Sequence, residues 1–245
     1  MRLFIIPLCC FILAACMATE VPERKSADQY FKQGEEFLEN NQYEDAIASW
    51  EKVRDSYQSP ELVTIAELKI AETHFLAEQY PEAVAAWEAF LKQHPNYPQA
   101  AEVIFQLGKA YYIQMLSADR DQTATHNAIA TFETLLRQYP ESSHSAEARQ
   151  LNELCHNRLA EHELYVGEVY LRLEQYPAAI RRLSGLLESY PNYQENLDKA
   201  LFLLAKAYLL NEQRAEATDY FNLLYRNFPD SPYVLKGRKL VEKHY

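Results

Sequence analysis

The sequence predicts an all-α fold: a right-handed solenoid of five helical hairpins, with one long helix joining hairpins 3 and 4. Three observations carry that reading. A small residue is followed twelve positions later by Ala, and that Ala twelve positions later by Pro, in a series that recurs along the chain. It reads Gly34/Ala46, Ala71/Ala83/Pro95, Gly108/Ala128/Pro140, Gly167/Ala179/Pro191 and Ala205/Ala217/Pro229. Gln58 stands in place of the first Pro, and eight extra residues separate Gly108 from Ala128. Next, the 245 residues include only five Gly and almost no strand-like alternation. Finally, 145–173 keeps helical composition without a Pro, some four turns longer than the neighbouring junctions require.

Residues 1–15 read as a leader rather than as part of the fold. Arg2 supplies a short positive region and 3–14 an apolar stretch too short to span a bilayer comfortably. The stretch closes on Leu13-Ala14-Ala15-Cys16, which resembles the lipobox of a bacterial lipoprotein. That resemblance implies cleavage before Cys16 and a covalent lipid on it, since two or more acyl chains anchor a protein stably. The alternative is an ordinary secretory leader whose cleavage site includes a Cys. Met17, in place of the Asp that retains such proteins at the inner membrane, points to the outer membrane. Residues 17–26 are short and polar, contain Pro22, and read as a tether.

Segments 28–39 and 43–57 form the first predicted hairpin, across Asn40-Asn41-Gln42. The second runs over 60–77 and 81–94, with Pro60 and Pro81 at first-turn positions and Ser59 as an N-cap. Hairpins 1–3 occupy 27–140. The long helix and hairpins 4–5 occupy 141–229, and 230–245 forms a basic capping helix. Small residues let paired helices approach, and Pro then stops the second helix. Trp50, Trp87, Phe132, Leu183 and Phe221 each fall four residues after the second Ala and fill the space. This matches the tetratricopeptide pattern.

Charge and cysteine usage narrow the function classes. Loss of Arg2 with the leader takes the net charge from −11 to −12, which argues against nonspecific nucleic-acid binding. Cys155 is then the only thiol left besides the lipidated one, so no disulfide staples the domain and the fold rests on its core. The chain holds no Gly-rich phosphate loop, paired Cys ligands, HExxH or GxSxG run. Glu153 and His156 lack the second Glu-x-x-His a carboxylate-bridged metal site needs, and read as exposed residues of the long helix. Asp119-Arg120-Asp121 reads as an ion pair ordering the inserted loop at 117–121. The chain is read as non-enzymatic, without cofactor or metal.

Helix faces are more informative. Residues three before and four after each first small residue stack on one face of the first helix of a hairpin. In hairpins 1–3 these are Phe31, Leu38, Leu68, Phe75, Phe105 and Tyr112; in hairpins 4–5, Leu164, Leu171, Phe202 and Leu209. The row is either a groove for an extended, aromatic-bearing peptide, with Lys109 and Glu72 fixing polarity, or core sheltered by a neighbouring helix. The sequence leaves both open.

One run is more specific. Arg158-Leu159-Ala160-Glu161-His162-Glu163, continuing Val166-Gly167-Glu168-Val169-Tyr170, resembles the BamD (ComL) family, tetratricopeptide lipoproteins of the outer-membrane β-barrel assembly machinery. The acidic–Arg–acidic loop, Tyr139-Pro140-Glu141-Ser142, the lipobox and the long helix agree with it. The family is more usual with Gly at Ala15, an aromatic at Val169 and Tyr at His144.

The resemblance implies a scaffold without catalysis at the periplasmic face of the outer membrane, held by the lipid on Cys16. Its implied partners are a POTRA-bearing β-barrel subunit, other assembly lipoproteins and unfolded outer-membrane proteins. For POTRA docking it points to Arg181 and Arg182, whose alternative is a solvated helix face. A competing reading is a periplasmic adaptor coordinating envelope processes such as Tol–Pal constriction and peptidoglycan synthesis.

Overall fold

The structure, a computed structural model, describes residues 25–56 and 59–244, and every regular element among them is an α-helix. The order is α1 (Ala27–Glu39), α2 (Tyr43–Arg54), α3 (Pro60–Leu76), α4 (Tyr80–Gln93), α5 (Ala100–Ile113), α6 (Thr123–Gln138), α7 (Ser145–Arg172), α8 (Tyr176–Ser189), α9 (Leu197–Leu210), α10 (Arg214–Asn227) and α11 (Pro232–His244). Each helix packs on the next in chain order, as a solenoid of hairpins requires. The leader, Cys16, the tether to residue 24, Tyr57 and Gln58 lie outside the described residues.

Helix ends follow local chemistry. Ser26 caps α1 and forms a reciprocal capping box with Gln29, one turn ahead of the apolar face. Ser59 caps α3 through the Leu62 N–H, with Pro60 in the first turn as predicted. The second helices of hairpins 2 to 5 stop at His94, Tyr139, Tyr190 and Phe228, whose ψ angles lie between 58° and 62°. A Pro follows each, and its ring excludes the residue before it from helical geometry.

The recurring spacing has a specific mate. A Cβ built on Gly34 would lie 2.5 Å from Trp50, on Gly108 2.5 Å from Phe132 and on Gly167 2.6 Å from Leu183. The first small residue therefore seats the bulky residue four positions past the second Ala. An aromatic face, or Leu183 in hairpin 4, takes the place of the missing side chain.

A second repeated device was not read from the sequence. Asn41, Glu78, Glu174 and Glu212 all adopt left-handed φ, between 57° and 63°, at the turn inside hairpins 1, 2, 4 and 5. Each is followed by a Gln whose N–H returns to a carbonyl of the preceding helix: Gln42 to Phe37, Gln79 to His74, Gln175 to Tyr170 and Gln213 to Tyr208. Hairpin 3 replaces this turn with its insertion.

Helix α7 belongs to two cores. Ala148, Cys155 and Leu159 pack with Phe105, Phe132 and Leu135 of hairpin 3. Ala160, Leu164 and Leu171 pack with residues of α8 to α11. The change of partners falls between adjacent residues, Leu159 and Ala160, as expected where one helix links two stacks.

Candidate functional site

The predicted row splits into accessible and buried parts. Phe31, Leu38, Leu68, Phe75 and Tyr112 are half-buried. Phe31 leans on Trp50 with ring centroids 6.4 Å apart, and Phe75 sits 5.4 Å from Tyr80 and 5.6 Å from Trp87. Their own hairpins hold these rings in place while one face stays open. Beside them Glu72 pairs with Lys69 at 3.1 Å.

Phe105 departs from the groove expectation. It is only 3% exposed, and the His144 ring stacks on it at 4.7 Å and 20°. Glu102 holds the other edge of that imidazole at 2.5 Å, and the Lys109 ammonium lies 5.4 Å from the Phe105 centroid. The start of α7 crosses over α5 here, so Phe105 is core. Leu164, Leu171, Phe202 and Leu209 are buried as well. Tyr233 of α11 stacks on Phe202 at 5.2 Å, one helix sheltering the face of another.

Arg181 and Arg182 lie on α8, in the second block. Arg182 donates through Nη1 to both carboxylate oxygens of Glu163 on α7, at 3.0 and 3.1 Å. Arg181 is exposed. The two arginines thus lie on the surface of the α7–α11 block, and the row spans the three clusters of hairpins 1 to 3, the last of which α7 joins to that block.

The inserted loop is ordered differently from the expectation. No Asp–Arg120 ion pair forms. Asp119 accepts from the Ser117 hydroxyl at 2.6 Å, and Asp121 accepts from the Thr123 N–H at 2.9 Å. These hydrogen bonds hold both carboxyls below the usual aspartate range. Hydrogen bonds rather than an ion pair hold both carboxylates, with the Arg120 charge a smaller contribution at Asp119.

Buried Gln122 donates to the Ser117 and Arg120 carbonyls, at 2.9 and 3.0 Å. Arg158 and His162 of α7 then pin the loop from outside, through the Leu116 carbonyl at 3.3 Å and the Ala118 carbonyl at 2.7 Å. Sequence reasoning had no role for these two side chains. Their spacing of one helical turn, inside the most specific run of the chain, was the available signal.

Chemistry remains sparse. The His74 ring meets Gln79 at 2.7 Å as a packed residue. His156 lies 3.9 Å from Glu133 and 6.2 Å from the Tyr190 ring. Among the described residues no group of three or more His, Cys, Asp or Glu is placed to hold a metal ion. None of their helices is long and apolar enough to cross a membrane.

Comparison with known proteins agrees on kinship. The YfiO family model, described as outer membrane lipoprotein, matches residues 23–219. Outer membrane protein assembly factor BamD of Caulobacter vibrioides is 26% identical over 223 residues, covering 91% of this chain and 73% of that protein. The protein of the same name from Rickettsia prowazekii is 26% identical over 214 residues, covering 87% of this chain and 85% of its own. Among solved structures, YrrB, a TPR protein with an unusual peptide-binding site, overlaps at a TM-score of 0.40 and 17% identity, covering 87% of this chain and 92% of its own. From the lipoprotein family model, the hairpin spacing and the α7 link together, this chain belongs to the YfiO (BamD) family of outer membrane lipoproteins.

Proposed function

We propose that the protein is a non-catalytic scaffold of the outer-membrane β-barrel assembly machinery, anchored by a lipid on Cys16 at the periplasmic face of the outer membrane. The observation that carries this reading is the kinship with BamD assembly factors across 91% of the chain. It docks on a POTRA domain of the barrel subunit through the α8 face of Arg181 and Arg182, alongside other assembly lipoproteins. The open rings Phe31 and Phe75, with Leu38, Leu68 and Tyr112, take the extended, aromatic-rich signals of unfolded outer-membrane proteins. Half-buried aromatics on a rigid helix offer large contact area at low entropic cost, which supports that assignment. The second block docks while the first receives, and α7 holds the two at a fixed distance.

The test is capture of the lipidated full chain from detergent-solubilised outer membrane, with identification of its stoichiometric partner. A POTRA-bearing barrel protein is the expected partner. A Tol–Pal or peptidoglycan-synthesis protein in its place overturns the assembly reading in favour of an envelope adaptor.

A further inference from the structure

Along the open row the charge changes sign. The residue after each first small residue takes the same place on its helix: Glu35 on α1, Glu72 on α3 and Lys109 on α5. Lys109 lies between Phe105, one turn before it, and Tyr112, one turn after, so its stem belongs to the face of the row. Its ammonium stands 5.4 Å from the Phe105 centroid and makes no ion pair among the described residues. Two turns back on the same face, Glu102 is already taken by His144. Lys109 is half-buried, whereas Glu35 and Glu72 are exposed. The open row also ends on the helix that carries this cation. Phe105 is core under His144, and the next positions of the series, Leu164 and Leu171 on α7, are buried. A peptide lying across the open rings from hairpin 1 therefore runs out of apolar surface where it meets a half-buried, unpaired ammonium.

We infer that the row takes its peptide in one direction, with a free C-terminal carboxylate on Lys109 and the chain leading back toward Glu35. This rests on the peptide-binding reading of Phe31, Leu38, Leu68, Phe75 and Tyr112. An ammonium has three donors and no acceptor, so one under partial cover calls for an anion. An incoming carboxylate replaces its lost hydration with charge-assisted hydrogen bonds. The contact with Phe105 offsets only part of that loss, and it fixes where the ammonium stands. A terminal carboxylate meets the cation at a chain end, and the end of the chain is what the end of the open surface accommodates. The reversed peptide brings its carboxylate to Glu35 and leaves Lys109 facing neutral main chain, so repulsion at one end adds to the attraction lost at the other. Lys206 holds the equivalent place on α9, half-buried and without an ion pair among the described residues. Phe202 and Leu209 beside it are buried, so no open ring leads a peptide there.

The test uses the full mature chain and a decapeptide of alternating aromatic and polar residues, labelled with fluorescein at its N-terminus and read by anisotropy. The peptide is made as the free acid and as the C-terminal amide. The free acid is expected to bind about tenfold more tightly than the amide, the worth of a hydrogen bond to a charged group. Lys109→Gln is expected to erase that preference by weakening the acid alone. Lys109→Arg is expected to keep it, and Lys206→Gln to change nothing, with circular dichroism reporting that each variant is folded. Equal affinities of acid and amide for the unaltered chain, with Phe75→Glu weakening both, overturn the carboxylate assignment and leave the row standing. An equal loss for acid and amide in Lys109→Gln also overturns it, and assigns the ammonium to an acidic side chain or to the main chain. Phe75→Glu without effect on either peptide overturns the row, and this inference with it. A photo-cross-linker near the C-terminus of the peptide is expected to mark α5, and one near its N-terminus α1. The reverse pattern overturns the direction.

Discussion

The Nδ1 atom of His162 lies 2.7 Å from the main-chain carbonyl oxygen of Ala118, joining residues 44 apart in sequence. The carbonyl only accepts, so Nδ1 carries the proton. With Arg158 bonded to Leu116, this contact turns an insertion in hairpin 3 into a brace against the helix linking the two cores.

Removing the brace loosens the loop without unfolding the array. His162→Leu with Arg158→Ala is expected to lower stability by about 1–3 kcal/mol, two hydrogen bonds of ordinary worth. Amide exchange within 116–121 is expected to accelerate while helical circular dichroism stays constant. Unchanged exchange there would show that the loop is held by its internal hydrogen bonds through Gln122, Asp119 and Asp121.

Acid acts on the same loop. The folded pKa values of Asp119 and Asp121 are depressed, so their bonds stabilise the turn at neutral pH. That contribution is full above the unfolded aspartate value, about 3.9, and is lost as pH falls through the folded value. Protection of the 117–123 amides relative to the intrinsic exchange rate is expected to be full at pH 5 and to be lost as pH falls through the depressed folded values, with Asp121→Asn showing the loss already at pH 7.

Close approach inside the hairpins sets a second expectation. Gly108→Ala places a methyl 2.5 Å from the Phe132 ring, which lies in packed core and has no free direction. A loss of about 1–3 kcal/mol in denaturant unfolding is expected, with partial recovery by Phe132→Leu.

The left-handed turns are improvable. Glu212 holds φ at 63°, a conformation costing a side-chain-bearing residue about 1 kcal/mol. Glu212→Gly is expected to raise the melting temperature, whereas Asn211→Gly, at φ −89°, is not.

Two rings of the row give opposite results. Phe75→Glu is expected to weaken binding of a barrel-signal peptide at native helicity, since the ring has an open face. Phe105→Glu buries a charge at a site 3% exposed and is expected to disorder hairpin 3 before binding can be read.

Cys155 reports the integrity of the core that α7 shares with hairpin 3. Burial pushes its thiol up to about 12, and it is fully enclosed. Labelling by Ellman's reagent at pH 8 is expected to require denaturant.

The sequence by itself determined the hairpins, their number and the long α7. Those features are written locally: a small residue, its bulky mate four positions past the second Ala, and a Pro that forbids helix at the residue before it. A twelve-residue period survives without knowledge of any other repeat. The helix-end residues were equally legible at Ser59 and Pro60, where capping needs only three neighbours.

Tertiary structure alone decided what each exposed-looking position does. Phe105 and Leu68 occupy equivalent places in the pattern, yet Phe105 lies buried under His144 where α7 crosses α5, while Leu68 stays half-buried. Arg182 looked free and is held by Glu163, nineteen residues earlier. Periodicity fixes the face a residue takes on its own helix, whereas cover over that face depends on a partner helix placed by contacts far away in sequence.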